Sequence, residues 1–184
     1  MIRWRLLDDP APRSGARNMA LDEALWARAE EGIESRVTVR LYAWRPACLS
    51  LGYHQALRDA CDAAFCEREG IGVVRRPTGG KAVLHDDEVT YSVVAPLDAP
   101  PFAGGGLLEA YETIARALAG GLGRLGLSVS LEERAAALPP TGSDPCFLVP
   151  SPKEILCGRR KVAGSAQRRG RRAFLQHGAV PLSI

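Results

Sequence analysis

The stretch Ile71 to Val93 constrains the fold most. An apolar run, Ile71 to Val74, delivers the chain into Arg75-Arg-Pro-Thr-Gly-Gly80, and an alternating pattern then resumes through Tyr91 and Val93. The order implied is strand, tight loop, then hairpin. Pro77 fixes one backbone dihedral, while Gly79 and Gly80 carry no side chain that would hold a ligand away from the backbone amides. A bare Gly-Gly is better read as a turn. Two arginines before it and His85 after it move the reading toward a binding loop.

Phosphate is not the ligand these glycines suggest. Gly80-Lys81 fails as a P-loop because the position five before Gly80 is Arg75 and the residue after Lys81 is Ala82. Gly121-Leu-Gly-Arg-Leu-Gly126 matches GxGxxG by letter, but these glycines close a helix ahead of a strand, where dinucleotide binding needs them after a strand and opening a helix.

The remaining elements follow from periodicity. Trp4 to Leu7 reads as a short strand followed by a Pro-rich loop. Asn18 is placed to cap a helix in which Leu21, Leu25 and Ala29 share a face, with Asp22 and Glu23 early in it. Val37, Val39, Leu41 and Ala43 alternate with Arg36, Thr38, Arg40 and Tyr42, the pattern of a half-buried strand with its apolar set inward. Ala47 to Leu51 is a second strand. Asp59 to Glu69 is helical with Gly70 as a C-terminal stop. Cys61 and Cys66, five apart, fall on different faces of that helix.

A long helix follows a Pro- and Gly-rich loop, with Leu107, Tyr111, Ile114, Leu118, Leu122 and Leu125 on the side that must meet the sheet. Leu127 to Leu131 is a strand, and Glu132 to Pro145 a loop leading to Cys146. From Glu154 the chain meanders through Glu154 to Cys157, Lys161 to Gln167 and Arg172 to Val180, with turns at Gly158-Arg159 and Arg169-Gly170. Mixed strands with two or three helices give an α+β fold, a sheet with helices on one face.

At 184 residues the chain is one domain that needs no disulfide or metal to fold. Its five cysteines form no CxxC pair, and its three histidines, His54, His85 and His177, have no metal-ligand spacing. Charges within Met1 to Asp9 exclude a signal peptide, and no apolar run reaches membrane-span length, so cytoplasm is the expected compartment. Net charge is only +3, but eight Lys or Arg residues follow from Lys153 onward, at 153, 159, 160, 161, 168, 169, 171 and 172, against the single acid Glu154. Such a run suggests an acidic partner. Aromatics that would stack bases are sparse among these arginines, which argues against nucleic acid.

Read together, Arg75-Arg-Pro-Thr-Gly-Gly-Lys-Ala-Val-Leu-His85 with Tyr91-Ser-Val93, Gly158-Arg-Arg-Lys-Val-Ala-Gly-Ser-Ala-Gln167, Leu175-Gln-His-Gly178 and Asn18 to Leu25 resemble the biotin/lipoate protein ligase and lipoyltransferase family. Cys146-Phe147 ahead of Glu154-Ile155 is similar to its cysteine-dependent octanoyltransferase branch. The resemblance implies a biotin/lipoyl ligase catalytic-domain fold, with a mixed, largely antiparallel sheet. It implies transfer of an octanoyl or lipoyl group from acyl carrier protein to a lysine of a lipoyl-domain protein, such as glycine cleavage H protein or a dehydrogenase E2 subunit. No cofactor is then required; ATP and Mg enter only in the ligase branch, which activates free lipoate. A lipoyl-domain-binding module without catalysis is a further alternative. Family members generally continue past His-Gly into a helical C-terminal region, so residues 1–184 are expected to be the catalytic domain without that region.

The residues suit such chemistry. Acyl transfer between a thioester and an amine is easier through a thiolate, which needs a lowered pKa and an oxyanion partner. From its loop setting alone, Cys146 is equally a small buried hydrophobe or a nucleophile, and the resemblance makes it the nucleophile. By spacing Lys161 is a solvated lysine; the resemblance makes it the group that holds the acyl carbonyl. Gly79 and Gly80 then let the backbone approach the acyl chain, with Arg76 and Thr78 shaping the loop and Gly164 and Ser165 beside Lys161. His85 is either a hydrogen-bonded strand histidine or a wall of the acyl site. Cys157, on a strand, is a packing residue, and His54 and His177 are mostly structural.

Overall fold

A computed structural model describes residues 3–132, 153–158 and 160–182. Cys146 and most of the loop expected from Glu132 lie outside the described residues. The strand β1 (Trp4–Arg13) is longer than expected and runs through Pro10 and Pro12. It forms the sheet's edge, where a missing N–H breaks no ladder. Helix α1 (Gly15–Glu30) is capped by Ser14, whose side chain accepts from the Arg17 amide. Asn18 is therefore not the cap, and Asp22 lies well past the first turn, fully buried.

The strand β2 (Val37–Trp44) reverses the expected burial. Its polar set is the deeper one: Thr38, Arg40 and Tyr42 are buried, while Val39, Leu41 and Ala43 are half-buried. The cause is α1, which covers that face and supplies polar partners for it. After β3 (Cys48–Leu51), the expected helix over 59–69 is instead a 3₁₀ turn, Leu57–Asp59, and a short α2 (Ala63–Arg68). Asp62 caps α2, accepting from the amides of Ala64 and Phe65, and Gly70 follows with φ +66°. Cys61 precedes that cap and Cys66 lies four residues beyond it, the two positions of a staple at the helix start, and burial with the nearby Cys66 thiol raises the Cys61 pKa.

The strands β4 (Gly72–Arg75) and β5 (Val83–His85) flank β3 in a three-stranded sheet, parallel and antiparallel to it respectively. The long strand β6 (Glu88–Pro96) belongs to the other sheet, so the expected hairpin does not form: the chain changes sheets at Asp86-Asp87. Beyond it come α3 (Leu107–Arg124), β7 (Val129–Leu131), β8 (Ile155–Cys157), β9 (Arg160–Arg169) and β10 (Ala173–Pro181). The C-terminal meander forms as its turn residues indicate. The seven-stranded sheet has the order β1-β2-β6-β10-β9-β8-β7, antiparallel except for the β1/β2 pair. Fold class and largely antiparallel sheet agree with the sequence reading.

The helices lie on both faces of this sheet, not one. Alternate residues of a strand face opposite sides. Phe174 packs with Val93, Ala110 and Ile114 beneath α3, whereas its neighbours Ala173 and Leu175 pack with Leu25, Trp26 and Ala29 of α1. Gly121 and Gly123 fall inside α3 and Gly126, at φ +90°, ends it, which is the placement that rules out a dinucleotide loop. No described helix is long and apolar enough to cross a membrane.

Candidate active site

The loop between β4 and β5 is wrapped around Arg76. This buried guanidinium donates from Nη1 to the Ser50 carbonyl at 2.9 Å and to Ser50 Oγ at 3.2 Å, and from Nη2 to the carbonyls of Gly79 and Lys81, both at 2.7 Å. Arg75 holds the loop's other side, with Nη1 donating to the carbonyls of Gly52, Tyr53 and Gln55. Gly80 has φ +93°, and a Cβ on Gly52 would strike the Gly80 carbonyl. Arg76, expected to shape the loop, does so by tying the carbonyls of Gly79 and Lys81, while Arg75 ties the neighbouring segment after β3.

Beneath this loop, where the small sheet meets the large one, is a cleft of about 70 Å³. Met19, Tyr42, Trp44 and Val83 give it an apolar wall. Its floor is β9 at Gly164, Ser165 and Ala166 and β10 at His177, Gly178 and Ala179, with Arg76 and Gly80 above. The floor is flat because a Cβ on Gly178 would lie 2.5 Å from the Gly164 carbonyl and 2.7 Å from Ser165 Oγ. Ser165 is fixed by Tyr91, whose hydroxyl is 2.7 Å away.

Two buried histidines sit in the cleft, each between a carboxylate and a hydroxyl. His85 Nδ1 is 2.7 Å from Glu88 Oε1, and its Nε2 is 2.7 Å from Ser50 Oγ. Since a carboxylate only accepts, Nδ1 carries the proton and Nε2 accepts from Ser50. The ring stacks on Trp44 at 4.1 Å and 8°, so His85 is both hydrogen-bonded strand histidine and cleft wall. Thr90 donates to the same Glu88 oxygen at 2.5 Å and accepts from the Trp44 indole at 2.6 Å.

His177 is more than structural filler. Its Nδ1 donates to Asp22 Oδ2 at 3.2 Å and its Nε2 lies 2.6 Å from Thr78 Oγ1, a hydrogen bond that clips the glycine loop to β10. Thr78 is fully buried behind the cleft rather than in its lining. Asp22 also accepts from Arg40, Tyr42 and Ser92. Burial alone would raise this carboxyl; the hydrogen bonds and charges of His177 and Arg40, with Ser92, outweigh it and hold it below the usual carboxylate range. Burial beside Asp22 pushes the Tyr42 hydroxyl well up. None of Asp22, Ser50, Glu88 or Thr90 stands out in the sequence, since each finds its partner only through the sheets; the one local signal is the three-residue spacing of His85 and Glu88.

Lys161 is buried, not solvated, with Nζ 2.6 Å from Glu154 Oε1. It sits beside a bulge: Ile155 pairs with Ala163 and Leu156 with Lys161, leaving Val162 as the extra residue that re-aims the strand. It lies three positions before Gly164 in the cleft floor, about 10 Å of strand. The structure thus gathers Arg76, Gly80, His85, Gly164 and Ser165 around one cleft, with Gly79 and Thr78 supporting its loop and Lys161 along the same strand. Among the described residues no group of three His, Cys, Asp or Glu side chains is placed to hold a metal. The basic C-terminal run is dispersed: Lys153 pairs with Glu112, Arg168 stacks over Trp26 and Tyr53, and Arg169 donates to the Gly105 carbonyl.

A model of the lipoyl protein ligase A/B catalytic domain matches residues 14–184. The chain belongs to this family. Among curated relatives, octanoyltransferase LipM of Moorella thermoacetica is 46% identical over 186 residues, covering 98% of this chain and 66% of the relative. Octanoyltransferase LipM of Halalkalibacterium halodurans is 41% identical over 189 residues, covering 100% and 67%. The chain spans about two thirds of the length of the curated relatives it matches. Of solved family structures, lipoate-protein ligase A bound with ATP superposes with a TM-score of 0.77 at 25% identity, covering 100% of this chain and 67% of the other. A T. acidophilum protein regarded as a lipoate protein ligase, with lipoic acid bound, gives 0.77 at 26% identity and covers 100% and 69%. The fold and family agree with the resemblance read from the motifs.

Proposed function

We propose that this chain is an octanoyltransferase of lipoate biosynthesis, moving an octanoyl group to a lysine of a lipoyl-domain protein through a thioester on Cys146. The observation that carries the reading is the cleft itself: Met19, Tyr42, Trp44 and Val83 against a floor of glycine and alanine backbone suit a saturated acyl chain. The octanoyltransferase relatives support it, and so does the lipoic acid held by a relative of the same fold.

In this reading the donor is acyl carrier protein and the acceptor a lipoyl domain. The Cys146 thiolate adds to the donor thioester and the carrier leaves as its thiolate; the acceptor amine then adds to the Cys146 thioester and returns the Cys146 thiolate, and the proton the amine loses passes through solvent to the carrier sulfur. Lys161, its ammonium held by Glu154, orients the acyl carbonyl and offsets the developing negative charge. The donor is already activated, so neither nucleotide nor metal is needed. Exposed Arg171 and Arg172 offer positive charge to acidic carrier domains.

The ATP-bound ligase neighbour keeps a second reading in view, activation of free lipoate by ATP and Mg. Intact-mass measurement after incubation with octanoyl-acyl carrier protein separates the two. An octanoyl adduct that disappears in Cys146→Ala supports the transferase. Modification of a lipoyl domain by lipoate plus ATP, with no such adduct, supports the ligase.

A further inference from the structure

We infer that Ser50, His85 and Glu88 form a second acyl-accepting centre in the cleft, able to take an acyl group on the Ser50 hydroxyl and release it to water without Cys146. The arrangement has the parts that serine acyl transfer requires. Ser50 Oγ lies 2.7 Å from His85 Nε2, which in the neutral imidazole is the acceptor because Nδ1 donates to Glu88 at 2.7 Å; the hydroxyl's other acceptor, the Val83 carbonyl, is farther at 3.5 Å. Glu88 is fixed by Thr90, which is fixed in turn by the Trp44 indole, and the imidazole is clamped on the Trp44 face. The base therefore has one tautomer and one orientation. Arg76 Nη1 is 3.2 Å from Ser50 Oγ, a positive charge where an alkoxide and then a tetrahedral oxyanion would develop.

Access distinguishes this trio from its counterpart. Asp22, His177 and Thr78 repeat the same carboxylate-imidazole-hydroxyl order, yet Thr78 does not line the cleft, so that set can only hold the loop. Ser50 and His85 both line it, facing the wall expected to hold the acyl chain. The inference rests on the acyl-cleft reading but not on the cysteine. Ser50 Oγ adds to the acyl carbonyl and its proton passes to His85 Nε2. The tetrahedral species collapses, and the leaving thiolate or alkoxide takes that proton. Water then adds to the Ser50 ester with the same base, giving the free acid and restoring the hydroxyl.

The test uses the full chain carrying Cys146→Ala, with p-nitrophenyl octanoate as acyl donor. Expected are nitrophenol release above the uncatalysed rate and an octanoyl adduct mapping to Ser50. Adding Ser50→Ala or His85→Ala should lower release by about 100-fold or more, the usual reach of a positioned base and nucleophile. Because those changes also remove a buried hydrogen bond, Ser50→Cys provides a variant that keeps the pocket's shape; it should trap the acyl group as a thioester at position 50. A folded Cys146→Ala chain that gives neither release nor adduct overturns the inference, and so does release that persists after Ser50→Ala. If wild type takes no octanoyl group from carrier protein but Ser50 is acylated by the ester, the transferase reading fails and this centre stands. If a carrier-dependent adduct forms on Cys146 while Ser50 stays inert, the transferase stands and this centre fails.

Discussion

Asp22 holds together more of this molecule than any cleft-lining residue. It binds Arg40 on β2, Tyr42 on the same face, Ser92 on β6 and His177 on β10, so one carboxylate fixes α1 to three strands and orients the His177 ring. Replacing it with Asn leaves Arg40 as a buried charge compensated only by Asn18 and Asp9, and removal of one partner of such a pair costs about 3–5 kcal/mol. Urea denaturation of Asp22→Asn should show that loss at neutral pH. The pH sign is set by the depressed folded pKa: the contribution is fully present above about pH 4, where the unfolded carboxyl is ionised, and disappears as pH falls through the lower folded value. Wild type should therefore lose stability over that acidic range while Asp22→Asn shows a flatter limb. Cys48 is the opposite kind of residue. Burial pushes its thiol up to about 11, so iodoacetamide at pH 8 should leave it unmodified in the native chain and alkylate it after unfolding.

At the scale of elements, β10 beside β9 makes the cleft floor, and at Gly178 there is no room for a side chain. Gly178→Ala places a methyl 2.5 Å from a backbone carbonyl and 2.7 Å from the Tyr91 ring, neither of which can swing away. The strands must separate, at about 1–3 kcal/mol, and the floor with them. Thermal melting and octanoyl transfer should both fall; a variant with full activity would show that the floor does not touch the acyl chain. The residues announcing these elements were legible where the signal was local: Gly70 after a helix, the turns of the C-terminal meander, and the middle of α3's apolar stripe, Ile114, Leu118 and Leu122, whereas its ends Leu107 and Leu125 stay exposed. They misled where a partner far along the chain decided burial. On β2, Arg40 and Thr38 looked like the solvent face because nothing local reveals that Asn18 and Asp22 await Arg40, or that Arg5 donates to Thr38. The jump from β5 to β6 between two sheets was hidden for the same reason, since both segments alternate as hairpin strands would.

At the scale of the whole molecule, the described residues form two sheets of unequal strength with the cleft at their seam. The seven-stranded sheet is packed by helices on both faces, whereas β4-β3-β5 has three short strands and leans on α1, on the Trp44 stack and on the Thr78–His177 clip. Motif residues on the loop, on β9 and on β10 could be recognised one segment at a time, but that they face one another across this seam follows only from β6 and β10 pairing in the middle of the large sheet. Short sheets with few layers open at lower free energy than a covered central sheet. A ligand that touches both sheets should therefore protect mainly the weaker one. In hydrogen exchange, an octanoyl ester analogue near saturation should slow the amides of Cys48 to Leu51 and Val83 to His85 by up to about 100-fold, the stabilisation expected at 100 times Kd, while β6 and β10 amides that open only globally gain no more than the change in overall stability. Protection confined to α3 and β7, or spread evenly over all strands, would place the acyl chain somewhere other than the seam.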